Sequence, residues 1–131
     1  MSKLSNRTAA LGIMSALALG TLAAAPAYAQ SSKVTSRGTC TGHTVSKLKV
    51  AHDGRVIEAD FEVDSNRVGQ LWNIAINDNG VRVFNGSRRT TAPSGSFTAS
   101  PRLADRAGVD NIVAFAKNAA TGETCTARVS I

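Results

Sequence analysis

Five turn signals divide the C-terminal two-thirds of this 131-residue chain: Asp53-Gly54, Asn79-Gly80, Asn85-Gly86, Ser94-Gly95 and Thr121-Gly122. Each pairs glycine with a small polar residue, so each suits the positive φ values that tight reversals require. The runs between them are short and rich in Val, Ile, Thr and Phe, and none keeps a 3.6-residue apolar period over several turns. A chain that reverses so often cannot build long helices. The rhythm predicts an all-β domain of seven or eight short antiparallel strands, folded as one sandwich.

Turn chemistry also predicts which residues face each other. A two-residue turn at Asp53-Gly54 sets Val50 opposite Ile57, Leu48 opposite Ala59 and Ser46 opposite Phe61 on one face. The other face then pairs Lys49 with Glu58 and Lys47 with Asp60, the charge matching that a wet sheet surface favours. Period-two alternation makes Glu58, Asp60, Glu62 and Asp64 the solvated side of a strand rather than a metal or acid/base cluster. A second hairpin runs from Leu71 to Phe84 around Asp78-Asn79-Gly80, with Trp72, Ile74 and Ile76 sharing a core face. A third joins residues 111–118 to 123–130 and keeps Ile112, Ala114 and Ala116 on the side of Cys125, Ala127 and Val129. Residues 96–100 supply another short strand, with Phe97 and Ala99 on one side.

The first 29 residues have the three parts of a secretory signal: basic Lys3 and Arg7, an apolar stretch from Ala9 to Ala25, and Ala27-Tyr28-Ala29 before Gln30. We expect cleavage after Ala29, a flexible lead-in over residues 30–38 and the β-sandwich domain over 39–131. The product would be secreted, with no membrane span after processing. Both cysteines, Cys40 and Cys125, lie in the exported part, so an end-to-end disulfide is expected in an oxidising compartment. Export removes two basic residues and leaves thirteen basic against nine acidic. That excess is mild and scattered, unlike the concentrated, aromatic-interleaved charge of nucleic-acid binders, so no nucleic-acid partner is expected. It suits solubility and weak attraction to anionic cell-surface polymers.

The stretch Gly-Val-Asp-Asn-Ile-Val-Ala-Phe-Ala-Lys-Asn at residues 108–118, followed by Thr121-Gly122, resembles the penultimate strand and final hairpin of immunoglobulin-like domains. The likeness covers about a fifth of the exported chain. Ile112 stands where those domains carry their corner tyrosine, and Ala114 where they carry the core-strand cysteine. The arrangement also resembles small secreted bacterial sandwich proteins of immunoglobulin or fibronectin-III type that share an Asp-Ser-Asn-Arg-Val-Gly-Gln-x-Trp stretch, here Asp64 to Trp72. The resemblance implies an immunoglobulin-like sandwich and no particular activity.

Little in the sequence speaks for chemistry. His43 and His52 are the only histidines, and neither sits in a ligand or catalytic motif. Asp64-Ser65-Asn66-Arg67-Val68-Gly69 begins like a calcium loop, but Val68 takes a ligand position and Ala75 replaces the closing glutamate. Asp105 and Asp110 flank Gly108 in a loop that would hold a cation only weakly, and Asn85-Gly86-Ser87 matches a glycosylation sequon. No catalytic residue, cofactor or metal is therefore expected. The segment least explained by folding is 85–95, long for a hairpin turn, polar, and carrying Arg88, Arg89, Thr90 and Thr91 as a candidate binding loop. The expected function is binding to another secreted protein or a cell-envelope polymer. A protease inhibitor presenting Arg88 or Arg89, and a small hydrolase built on either histidine, are the alternatives.

Overall fold

Alternation of apolar and polar residues, carried along paired strands, dictates sheets with one dry face and one wet face. A computed structural model describes residues 20–26 and 32–131. The leader expected over residues 1–29 lies mostly outside these, and its cleavage site lies wholly outside them. Among the described residues there is no helix, and the strands are β1 (Lys33–Arg37), β2 (Thr39–Cys40), β3 (Val45–Asp53), β4 (Val56–Asp64), β5 (Leu71–Asp78), β6 (Val81–Arg89), β7 (Ser96–Ala99), β8 (Arg102–Ala104), β9 (Asn111–Asn118) and β10 (Thr124–Ser130). They form two antiparallel sheets. One is ordered β1-β3-β4-β7, with β8 also on β4; the other is β2-β10-β9-β5-β6.

The dry faces meet as a single core. Leu48, Val50, Ile57, Ala59, Phe61 and Val63 from the first sheet pack toward Trp72, Ile74, Ile76, Ile112, Ala114, Ala116 and Val129 from the second. Trp72 is fully buried, with its ring centroid 6.4 Å from that of Phe97. Alanines at 59, 99, 114, 116 and 127 leave room for these large rings, the small-against-large matching that a dense core needs.

Three expectations change. The first hairpin turns on Gly54-Arg55, because Gly54 takes the first central position with φ +64°. The register moves by two residues: Lys49 faces Asp60 and Lys47 faces Glu62, while Val50 faces Ala59 and Leu48 faces Phe61. A shift of two preserves which side chains point inward, so the core face is the expected one. The lead-in expected over 30–38 contains strand β1, which pairs with β3 from Lys33↔Ala51 to Arg37↔Lys47. Its polar side chains suggest a tail, but an edge strand needs backbone partners on one side only and can leave both its faces wet. With β1 and the three-residue β8 included, the strands among the described residues number ten rather than seven or eight.

One loop is fixed by a glycine. Gly95 has φ +76°, and a Cβ there would lie 2.8 Å from the carbonyl carbon of Asn66 and closer still to the backbone of Arg67. Its carbonyl also accepts hydrogen bonds from the Ser65 amide and hydroxyl. Gly95→Ala is therefore expected to lower stability by about 1–2 kcal/mol through strain and displacement of the 65–67 loop. Urea unfolding checks this as a lower midpoint at an unchanged slope.

Candidate functional site

The second sheet buries Trp72, Ile74, Ile76, Ile112, Ala114, Ala116, Cys125, Ala127 and Val129, so the intervening residues must form its outer face. Strand pairing sets them in three rows. Asn85, Ala75, Phe115 and Thr126 form the middle one. Ser87, Asn73, Lys117 and Thr124 flank it on one side, and Arg82, Asn77, Val113 and Arg128 on the other. Cations, amides and hydroxyls surround an apolar centre, and none of the twelve is acidic.

On the opposite surface of the sandwich, cations of β3 and β8 are set against carboxylates. Lys47 meets Glu62 at 3.3 Å, Lys49 bonds Asp60, and Arg102 meets Asp53 at 2.7 Å. Burial pushes the Asp60 carboxyl upward, but hydrogen bonds from Lys49 and Ser100 and the Lys49 charge outweigh it and hold the group below its ordinary range. Among the described residues, none of Arg82, Lys117 and Arg128 has a carboxylate within 4.0 Å. Three cations thus stand on this face with no acidic residue among its twelve outward positions.

This face is nearly flat and open. Phe115 keeps 38% of its surface exposed. Beside it lies a shallow depression of about 230 Å³, lined by Asn73, Ala75, Arg82, Asn85 and Lys117 among others. Arg82 is oriented by donating from Nε to Asn77 Oδ1 at 2.7 Å, and Ser87 Oγ donates to Asn73 Oδ1 at 3.2 Å. Side chains held this way present polar groups without collapsing onto one another.

The first five residues of the candidate loop over 85–95 belong to strand β6, and the chain turns only at 92–95. Arg88 and Arg89 lie in β6, paired with Trp72 and Leu71, and Arg88 stacks over the Phe84 ring at 5.6 Å. Asn85-Gly86 resembles a turn in sequence, but Gly86 pairs with Ile74 and lies under the Phe84 ring. Thr90 is buried, accepting from the Gln70 amide and donating to the Arg67 carbonyl, so it holds the 67–70 loop. Thr91 is exposed and donates to the Ser96 carbonyl. Of the four, Arg88, Arg89 and Thr91 are accessible, and Arg89 shares the outward side of β6 with Asn85 and Ser87.

The histidines and acidic loops lie elsewhere. His52 Nδ1 is 3.2 Å from Asp105 Oδ2, and His43 lines a shallow depression with Ser65, Arg67 and Glu123. Asp64 Oδ1 accepts from the Asn66 amide, a turn-forming bond within the calcium-like segment. Asp105 and Asp110 go different ways: Asp110 is buried beside Asp78, and Arg106 reaches Asp78 Oδ2 at 4.0 Å. Among the described residues, no three His, Cys, Asp or Glu side chains gather as a metal site.

Cys40 and Cys125 sit directly opposite one another in the β2–β10 ladder and are disulfide-bonded, with Cα atoms 4.0 Å apart. The bridge therefore lies within one sheet, and Cys125 faces the core as the alternation predicts. Sequence reasoning misses the cationic face because its members are spread from residue 73 to residue 128. The usable signal is parity: once Ile112, Ala114 and Ala116 face inward, Val113, Phe115 and Lys117 must face outward. No protein-family model matches the chain, and a search of curated proteins finds no relative.

Proposed function

We propose that this chain is an exported, non-enzymatic interaction module on an immunoglobulin-like scaffold, and that it binds through the outer face of the β2-β10-β9-β5-β6 sheet. The observation that carries this reading is the asymmetry between the two faces. One carries charges of both signs and sets Lys47, Lys49 and Arg102 against carboxylates, while the other carries Arg82, Lys117 and Arg128 and no acidic residue around an exposed phenylalanine. Solubility alone would be served as well by charges of both signs. The amino-terminal leader and the intrasheet disulfide support an extracellular setting. The order β2-β10-β9-β5-β6 supports the immunoglobulin-like reading of that sheet, while the β3–β4 hairpin within the other sheet is this chain's own feature.

A photoreactive phenylalanine placed at Phe115, and at Thr98 on the opposite outer surface, tests the site. Irradiation in contact with the producer's envelope fraction and medium is expected to give adducts from position 115 and not from position 98. Equal labelling at both positions, or none at either, would overturn the assignment.

A further inference from the structure

We infer that the ligand of this face is a polysaccharide whose sugar rings carry carboxylates, an inference that rests on the binding role proposed above. Three features of the face point to it together. Phe115 stands between Ala75 and Thr126, both small, so its ring offers an apolar platform that a sugar ring can cover. Asn73 and Asn85, one row apart, present amide groups that both donate to and accept from hydroxyls. Arg82 and Lys117 lie on the two rows flanking Phe115, with no acidic neighbour to satisfy them.

Spacing argues for a polymer over a small anion. Strand rise and interstrand distance put the backbones of Arg82 and Lys117 roughly 17 Å apart, on a diagonal that crosses Ala75 beside Phe115. A single carboxylate or phosphate reaches one of them, whereas a chain with repeating anionic groups reaches both. An acidic peptide is the other polyanion to weigh. It would add to the open edge of β6, and Phe115 lies two strands inward of that edge, beyond the reach of a strand paired there. A polyanion without rings has nothing to place on the aromatic platform.

The test uses the ¹⁵N-labelled secreted protein titrated with short oligogalacturonate, and in parallel with polyglutamate and with polyglycerol phosphate. Amide shifts are expected to centre on Asn73, Ala75, Phe115 and Lys117 and to fade with added salt. Phe115→Ala should weaken oligogalacturonate binding by about tenfold, with Phe115→Tyr restoring most of it. Arg82→Gln combined with Lys117→Gln should remove binding while leaving the spectrum dispersed. Equal affinity for the two ringless polymers, shifts confined to β6, or no shifts at all would each overturn the carbohydrate assignment. Crosslinking from position 115 reads the binding role separately, so adducts there without oligogalacturonate binding would reject the ligand class alone.

Discussion

Replacing both cysteines, as Cys40→Ala with Cys125→Ala, is expected to lower stability by about 2–4 kcal/mol. The bridge closes a sequence separation of 85 residues, so in the chain-entropy picture it removes much of the freedom of the unfolded chain. Its local effect should be as telling as the global one. β2 is only two residues long and pairs at two positions with β10, Cys40↔Cys125 and Thr39↔Thr126. So short a ladder holds little by itself. The flanking bonds from the Thr41 amide to the Thr124 carbonyl and from the Gly38 amide to the Ser46 carbonyl depend on the same segment staying docked. Without the bridge, hydrogen exchange should lose protection first at Gly38 and Thr41, while Trp72, Ile74 and Ile76 in the buried centre keep theirs relative to global unfolding. A change in denaturant midpoint worth less than about 1 kcal/mol would show that the native contacts of β2 already suffice.

The parts of this fold that are legible in the sequence are those governed by local parity. Trp72, Ile74 and Ile76 alternate with Asn73, Ala75 and Asn77, and any register that pairs this strand at all must bury one set together. The same holds for Cys125, Ala127 and Val129, which face Ala116, Ala114 and Ile112 across a four-residue loop. Register itself depends on which residue of a turn takes positive φ, and Asp53-Gly54 admits two answers that differ by one residue in the loop and two in the pairing. β1 escapes notice because an exposed edge strand carries no apolar alternation. The Arg88-Arg89 doublet draws attention by being adjacent in sequence, although adjacency in a strand sends the two side chains to opposite faces. Arg82, Phe115, Lys117 and Arg128 belong together only after β5 is placed between β6 and β9, a pairing between segments some thirty residues apart. Asp78 and Asp110 show the same limit, since neither is unusual until both are buried side by side.

Asp78→Asn is expected to stabilise the protein above neutral pH, by about 1–3 kcal/mol, the cost of a buried polar group without a partner. Asp78 and Asp110 are 0% and 1% exposed, and none of their four carboxylate oxygens has a hydrogen-bond donor. Burial and the neighbouring Asp110 push the Asp78 carboxyl above its ordinary value of 3.8, Asp105 adds to this, and Arg106 opposes it. A protonated Asp78 can donate to Asp110 and relieve both groups; an ionised one leaves two like charges in a dry site. The folded protein thus retains a proton that the unfolded chain releases nearer pH 3.8. This contribution is complete below the unfolded value and is lost as pH rises through the folded one. The side-chain amide that Asp78→Asn introduces would supply the same donor at every pH. The stability difference between variant and native chain should therefore be small near about pH 4, grow as pH rises, and level off once Asp78 has ionised in the folded protein. Chemical denaturation across that range measures it, and a difference independent of pH would mean that Asp78 carries no such proton. Arg106→Gln, by removing the opposing cation, should carry the loss of stability to higher pH, whereas Asp105→Asn should move it the other way.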